Sequence, residues 1–217
     1  MRLCDEQPER YAVVAAVSRQ PSQRGVDGVP LFAARELSGV PAFDVLVDFS
    51  RPDAFDRALA LAVARKAAFV SGTTGLADPQ RDALAQAAEQ VPACWASNFS
   101  LGVAVLAQLV ARAARALPGW DCDIVETHHA GKVDAPSGTA LTLGAAAGEG
   151  GAMPRYASLR AGDVVGEHMV QFAGAGERIE LVHRATNRDN FARGALHAAS
   201  RLAGREPGLY GVGELLE

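Results

Sequence analysis

Short apolar runs alternate with helix-forming segments through the first 96 residues. Four nearly unbroken apolar runs are residues 11–17, 45–49, 67–70 and 93–96. Such runs are typical of strands buried on both faces of a sheet. Between them, segments 53–66 and 78–90 are rich in alanine and leucine and begin beside a proline, as helices do. This alternation predicts a doubly wound, Rossmann-like α/β parallel sheet, in which ligands bind at the carboxyl ends of the strands.

The pattern changes after residue 100 and predicts a second domain of the α+β class. We expect helices at 101–117, 138–147 and 187–202, and strands at 123–127, 155–160, 166–173 and 178–184. The last three strands follow one another with short connections, so they predict an open mixed sheet. The linker 149–152 precedes them.

The composition excludes several classes of protein. The 217 residues carry a formal net charge of −4, and the basic residues are scattered, whereas a nucleic-acid binder usually has a basic stripe. No apolar run approaches the length of a membrane span, and the N-terminus has no signal-peptide pattern. Cys4, Cys94 and Cys122 have no metal-ligand or redox spacing, which favours free thiols in a reducing compartment. We therefore expect a cytoplasmic protein with no membrane segment, no nucleic-acid partner and no metal site.

The segment ETHHAGKVDAPSGT, residues 126–139, combines acid/base groups with an anion site. His128, His129 and Lys132 can each carry or pass a proton. Residues 136–139 read as the start of a helix, whose free N–H groups and positive dipole end suit a carboxylate or phosphate. The segment predicts a site for an anionic substrate that needs a proton moved.

Lys132 is unusual in this chain, because only two of the 21 Lys and Arg residues are lysines, Lys66 and Lys132. Arginine does not release a proton at ordinary pH, whereas a lysine can be tuned to act as an acid. The ordinary alternative is that Lys132 is a surface cation and that the two histidines are polar loop residues. Spacing alone leaves both interpretations open.

Five ordered segments resemble those of the 4-hydroxy-tetrahydrodipicolinate reductase (dihydrodipicolinate reductase) family. They are VDFSRP at 47–52, SGTTG at 71–75, ASNFSLGV at 96–103, the 126–139 segment, and RAGDVVGEH at 160–168. The resemblance runs from residue 12 to the C-terminus. It implies a nicotinamide-dependent oxidoreductase that reduces 4-hydroxy-tetrahydrodipicolinate, a ring dicarboxylate, in lysine and diaminopimelate biosynthesis.

The resemblance also implies roles for individual residues. Catalysis falls to His128 as general acid/base and Lys132 as second proton donor. Substrate binding falls to His129, Ser137, Gly138 and Thr139. The cofactor, NADPH or NADH, is expected to contact Arg19, Gly72, Thr73, Thr74, Ala96, Ser97, Asn98, Phe99 and Arg188. For the Gly-Thr-Thr turn, ordinary turn chemistry is the alternative explanation.

Arg19 bears on the choice between the two cofactors. Folds that prefer NAD usually place an acidic residue at this strand end, but no Asp or Glu follows before Asp27. A 2′-phosphate could pair with the Arg19 guanidinium, which favours NADPH. Alternatively, Arg19 stacks on the adenine or lies in solvent.

The family also implies how the domains are divided and how they assemble. Residues 1–97 plus 188–217 are expected to form the dinucleotide-binding domain, and residues 98–187 the substrate-binding and oligomerisation domain. The two crossings between domains predict a hinge. The mixed sheet is expected to build a homotetramer, and Glu167 and His168 are expected to serve that sheet rather than the chemistry.

One family feature is missing from the sequence. The family opens with an apolar strand and a G-x-x-G-x-x-G loop, which cradles the pyrophosphate, but here the first glycine is Gly25. Residues 1–10 resemble the tail of the first helix. Because the missing strand would lie in the middle of the sheet, its loss is expected to leave two inner edges unpaired. The alternatives are a misplaced start, or a noncatalytic or decayed paralogue that keeps the dicarboxylate site but cannot bind the dinucleotide.

Overall fold

The computed structural model describes residues 1–19 and 25–216. The chain divides into two compact units, of which unit 1 is Met1–Ala96 with Ala195–Glu217, and unit 2 is Ser97–Gly194. Within the described ranges, no helix is both long and apolar enough to cross a membrane.

Unit 1 alternates strands and helices, as its apolar pattern predicts. Its helices are α1 (Arg2–Asp5), α2 (Pro52–Arg65) and α3 (Asp78–Ala88), with 3-10 turns at Leu37–Gly39 and Val212–Leu215. Its strands are β1 (Ala16–Ser18), β2 (Gly25–Val26), β3 (Val29–Ala33), β4 (Val45–Asp48), β5 (Ala68–Ser71) and β6 (Pro92–Trp95), and a further strand, Gly208–Tyr210, closes the chain.

The strands of unit 1 form two sheets instead of one. Four parallel strands lie in the order Gly208–Tyr210, β6, β5, β4, and the other sheet has the order β1, β3, β2. Within the described residues, β4 pairs only with β5 and β1 only with β3, which confirms the expected interruption between them. The prediction of a fully buried strand over 11–17 is wrong in extent. The strand covers Ala16–Ser18, and Val17 is 49% exposed, so this strand is not buried on both faces.

The core of unit 1 lies where α2 and α3 pack on β5 and β6. Proline at the first turn and a left-handed Lys66 at the C-terminal end delimit α2, which buries Phe55 and Leu59. The rings of Phe55 and Phe69 meet edge to face, with centroids 5.6 Å apart. This core brings the carboxyl ends of β4, β5 and β6 to one edge of the sheet.

Unit 2 is built from long helices and a four-stranded sheet. Its helices are α4 (Leu101–Ala116), α5 (Gly138–Glu149) and the beginning of α6 (Asp189–Leu202), which continues into unit 1. Its strands are β7 (Asp121–His128), β8 (Pro154–Arg160), β9 (Gly166–Gly174) and β10 (Glu177–Ala185), so the strand Gly208–Tyr210 is β11.

The sheet of unit 2 is mixed, in the order β10-β9-β7-β8. The β7–β8 pair is parallel and the β9 pairs are antiparallel, which confirms the predicted second domain of the α+β class. Alternation along β7 and β9 buries Ile124, Val170 and Phe172 against one face of the sheet. Helices α4 and α5 cover that face and contribute Val110 and Leu143 to the same core.

Candidate active site

The alternation of β7 carries two titratable side chains onto the helix-covered face of its sheet. Ile124, Glu126 and His128 point the same way, and all three are buried. Since His128 is the last residue of β7, its ring lies where the strand gives way to the His129–Lys132 loop. The face of β7 that buries Ile124 therefore carries an acid/base pair, Glu126 and His128, towards its carboxyl end.

Glu126 is a buried carboxylate with a full set of partners. Arg160 donates to both of its oxygens at 2.9 and 3.0 Å, and His128 Nδ1 contacts Oε2. Burial raises the pKa of Glu126, but hydrogen bonds from Arg160, Ser158 and His128 outweigh it and lower the pKa to about 2. Glu126 is consequently ionised throughout the range in which enzymes work.

This carboxylate fixes the orientation of His128. An ionised carboxylate can only accept, so the Nδ1 atom that contacts it carries the hydrogen. Nε2 is left as the atom that exchanges a proton. Gly166 borders that atom, since a Cβ at position 166 would lie 3.0 Å from His128 Nε2. The lack of a side chain there keeps room beside Nε2.

Lys132 lies in the loop that follows, held by an acidic neighbour. Its Nζ donates to both carboxylate oxygens of Asp134 at 2.7 and 2.9 Å. The Lys132 hydrogen bond lowers the pKa of Asp134, with smaller contributions from the N–H groups of Asp134 and Gly138. Asp134 therefore already binds the Lys132 ammonium and the Gly138 N–H, two groups that are expected to bind a substrate carboxylate.

Helix α5 begins at this loop with a serine cap. Ser137 Oγ accepts from Ala140 N at 3.2 Å, which leaves the earlier N–H groups of the first turn free of intrahelical partners. Thr139 is fixed from outside the helix, because Asn98 Nδ2 donates to its Oγ1 at 2.8 Å. Two side-chain hydrogen bonds therefore fix the start of α5.

His168, which is expected to serve the sheet rather than the chemistry, lies in the same cluster. Its ring lies edge to face with that of His128 at 5.1 Å, and its Nε2 is 3.2 Å from Ser137 Oγ. Burial, followed by the charge of His128, lowers the pKa of His168 to about 4. Its neighbour Glu167 points the opposite way along β9 and pairs with Arg184.

In unit 1 the Gly-Thr-Thr turn follows β5, at the carboxyl edge of the parallel sheet. Thr73 is buried and engaged within the turn: its Oγ1 donates to Asp48, its N–H to Ser71, and its carbonyl accepts from Trp95. Thr74 is exposed, and Gly72 lies so close to the Phe49 ring that a Cβ there would clash with it. Thr74 is therefore the exposed member of this turn, whereas Gly72 is packed against the Phe49 ring.

The remaining predicted cofactor residues fall in both units. Arg19 is exposed in unit 1 and lies 4.0 Å from Asp53, and Ala96 donates its N–H to Ser71 at 3.1 Å. In unit 2, Ser97 and Arg188 are exposed, whereas the Phe99 side chain is buried. Asn98 uses its amide internally, accepting from Ser100 N and donating to Thr139.

Sequence reasoning missed the partners that organise these groups. Glu126 and Arg160 stand in two separate motifs, and only the parallel register of β7 and β8 brings them together. Asp48 accepts from Ser71 and Thr73 at 2.8 Å. It lies in the VDFSRP segment, but no role was predicted for it. The available signal was an acidic residue two positions before a candidate catalytic histidine, on the same face of a strand.

Glu126→Gln is expected to destabilise unit 2, because Arg160 would lose its charge partner in a mostly buried place. The depressed Glu126 pKa corresponds to roughly 3 kcal/mol at pH 7. That stability is present above pH 4.5 and is lost as the pH falls towards about 2, so wild type and variant should converge in that window. Urea unfolding at pH 7 and at acidic pH measures the difference.

Asp123→Asn is the matched control, since Asp123 pairs with Arg155 across the same two strands at a solvent-exposed position. We expect it to cost about 1 kcal/mol or less. Equal losses of unfolding free energy in both variants would show that the Glu126–Arg160 pair contributes no more stability than the exposed Asp123–Arg155 pair.

Comparisons with known proteins agree on one family. The model for the N-terminus of dihydrodipicolinate reductase matches residues 3–99, and the model for its C-terminus matches residues 102–216. The 4-hydroxy-tetrahydrodipicolinate reductases of Stenotrophomonas maltophilia (strain R551-3) and Xylella fastidiosa (strain 9a5c) are 68% and 60% identical to the chain. Each alignment covers 100% of this chain and 91% of the relative.

A solved structure agrees in fold. The dipicolinate-bound dihydrodipicolinate reductase from Paenisporosarcina sp. TG-14 superposes with a TM-score of 0.77 at 22% identity, covering 94% of this chain and 89% of that one. The diaminopimelate (DAP) dehydrogenase of C. glutamicum, in complex with DAP, has a TM-score of 0.56 at 14% identity over 100% of this chain and 90% of its own. With both halves of the chain matched and close relatives covered almost in full, the chain belongs to the dihydrodipicolinate reductase family.

Proposed function

We propose that the chain reduces 4-hydroxy-tetrahydrodipicolinate to tetrahydrodipicolinate with NADPH or NADH, in lysine and diaminopimelate biosynthesis. The observation that carries the proposal is the geometry of unit 2. A histidine oriented by a buried carboxylate, a lysine and a helix start lie on one short stretch of chain. The reductase names of the matched families and relatives favour this enzyme over a noncatalytic subunit.

The two units have different proposed roles. Unit 1 binds the dinucleotide, with Gly72 and Thr74 at the carboxyl edge of its parallel sheet. The fit rests on that turn, where Thr74 is exposed and Gly72 packs against the Phe49 ring without a side chain of its own. When bound, the reduced nicotinamide supplies a hydride to C4 of the substrate ring. We propose that Arg19, exposed directly after β1, pairs with a 2′-phosphate.

Unit 2 binds the dicarboxylate. Lys132, His129 and the N–H groups at the start of α5 hold its carboxylates, because charge-assisted hydrogen bonds and helix N-termini are strong anion contacts. Asp134 accepts from the same ammonium and from Gly138. A substrate carboxylate therefore shares or takes over contacts that Asp134 already makes.

His128 and Lys132 carry the proton chemistry. The substrate loses its hydroxyl as water, and after hydride transfer the resulting enamine takes a proton on the carbon next to C4. His128 Nε2 is the first donor, because Nδ1 is committed to Glu126. Lys132 is the second donor and supplies the proton with which the hydroxyl leaves as water. Glu126 also stabilises the imidazolium that forms when His128 takes up a proton.

The face of the mixed sheet that points away from α4 and α5 favours self-association. An apolar row crosses all four strands and consists of Ala157, Val125, Met169 and Val182. The Arg184–Glu167 ion pair flanks this row. An apolar centre with a charged rim is the composition of a protein interface. We assign a homotetramer to this face. The cytoplasm is the proposed compartment, consistent with three free, buried cysteines.

Lys132→Ala is expected to lower turnover about 100-fold or more while dinucleotide affinity stays within a few-fold, since general acid catalysis contributes on that scale. Steady-state turnover and a nucleotide-binding titration measure the two effects. Lys66→Asn is the matched control: it removes the other lysine, at a left-handed position that asparagine tolerates, and should leave turnover unchanged. Turnover of Lys132→Ala within a few-fold of wild type would refute its role.

Val182→Glu is expected to lower the molecular mass in solution, because a carboxylate would be buried without a partner in the apolar row. Light scattering on the eluting protein gives the mass. The control is Leu209→Glu, which introduces the same charge at a 53% exposed leucine of unit 1. A tetramer that survives Val182→Glu, or that was never present in wild type, argues against this interface.

A further inference from the structure

Arg160 ends β8 directly beside the end of β7, where it is the register partner of His128. Its side chain is 20% exposed, and every guanidinium hydrogen has an acceptor. Nε donates to Lys132 O at 3.2 Å. Nη1 donates to Glu126 at 3.0 Å and Leu159 O at 2.6 Å, and Nη2 to Glu126 at 2.9 Å and Asp134 O at 2.6 Å.

These bonds reach both halves of the proton-transfer site. Arg160 bonds to the Glu126 carboxylate, and that carboxylate in turn contacts Nδ1 of the His128 ring. Through the carbonyls of Lys132 and Asp134, it holds the backbone of the loop that carries the ammonium. Only a planar group with five fixed donors can satisfy a carboxylate and two loop carbonyls together, and a lysine has a single nitrogen.

We infer that Arg160 is a positioning residue that sets the relative placement of His128 and Lys132 for the reduction. The inference rests on the proposed function, because it concerns the two residues given the proton chemistry there. The Arg160 guanidinium bonds to the Glu126 carboxylate and to main-chain carbonyls of the loop. Arg160 acts on the two proton donors through these groups.

The charges around Glu126 determine what removal of Arg160 does. The carboxylate faces Arg160 on β8, His128 on its own strand and His168 on β9, with the Lys132 ammonium acting on the same cluster. Of the groups that lower the pKa of Glu126, Arg160 contributes most. Without it, burial raises that pKa, and Glu126 becomes protonated at a higher pH.

Arg160→Gln tests the inference. We expect kcat at pH 7 to fall about 100-fold, the scale of an ångström-sized misplacement, and the acid limb of the kcat–pH profile to move upward by about one unit or more. The ¹⁵N spectrum of the His128 ring should also lose its protonated, hydrogen-bonded Nδ1 signal. Arg155→Gln is the matched control, since Arg155 is bidentate to Asp123 from the same strand. It should leave all three readouts unchanged.

Arg160→Lys separates charge from geometry and decides the matter if the glutamine variant does not fold. It keeps the positive charge beside Glu126, so the acid limb should stay near that of wild type while kcat falls about tenfold. Wild-type kcat in Arg160→Lys, or an unmoved limb and retained Nδ1 signal in Arg160→Gln, would overturn the inference. If the wild-type chain does not reduce 4-hydroxy-tetrahydrodipicolinate with NADPH or NADH, the proposed function itself has failed, which is a separate result.

Discussion

A carboxylate removed from water costs several kcal/mol unless other groups replace its hydration, and Glu126 has such a replacement. Its two oxygens accept from the planar fork of Arg160, and one of them also contacts His128. Because the acid is ionised and buried in the sheet, the imidazole next to it has one orientation and one tautomer. The acid/base atom of the site is therefore set by the interior of unit 2.

The same strand ends explain why the site lies where it does. Strands β7 and β8 run in parallel, so His128 and Arg160 finish side by side, and the chain leaves β7 in a loop that leads directly into α5. The serine cap and the Asn98–Thr139 bond fix that helix start from two directions. Asp134 bonds to the lysine of the loop. The loop lysine and the start of α5 are thus held in place by side chains of unit 2.

Much of the fold follows from the sequence because strand and helix periods are local properties. The helices at Pro52–Arg65 and Leu101–Ala116 and the strands of the mixed sheet lie within a few residues of their predictions. The strand predicted over 11–17 is only three residues long in the structure, Ala16–Ser18. The length of a strand depends on its neighbouring strands as much as on its composition.

The site was predictable in part, for the same reason. The 126–139 segment contains His128, Lys132 and the helix start in one short stretch, so sequence alone pointed to them. Arg160 and His168 come from β8 and β9, and their contacts depend on strand register, which the sequence does not display. The sequence also does not show which face of β9 carries His168, and the register places its ring beside that of His128.

The geometry of the site depends on an ionised Glu126 inside unit 2. The carboxyl ¹³C resonance of Glu126, followed by NMR as the pH is lowered from 7, reports its charge. We expect an ionised resonance at pH 4, with a midpoint near 2. A midpoint near 4.5, the ordinary value for a glutamate, would contradict it, because neither Arg160 nor His128 would then be holding the charge.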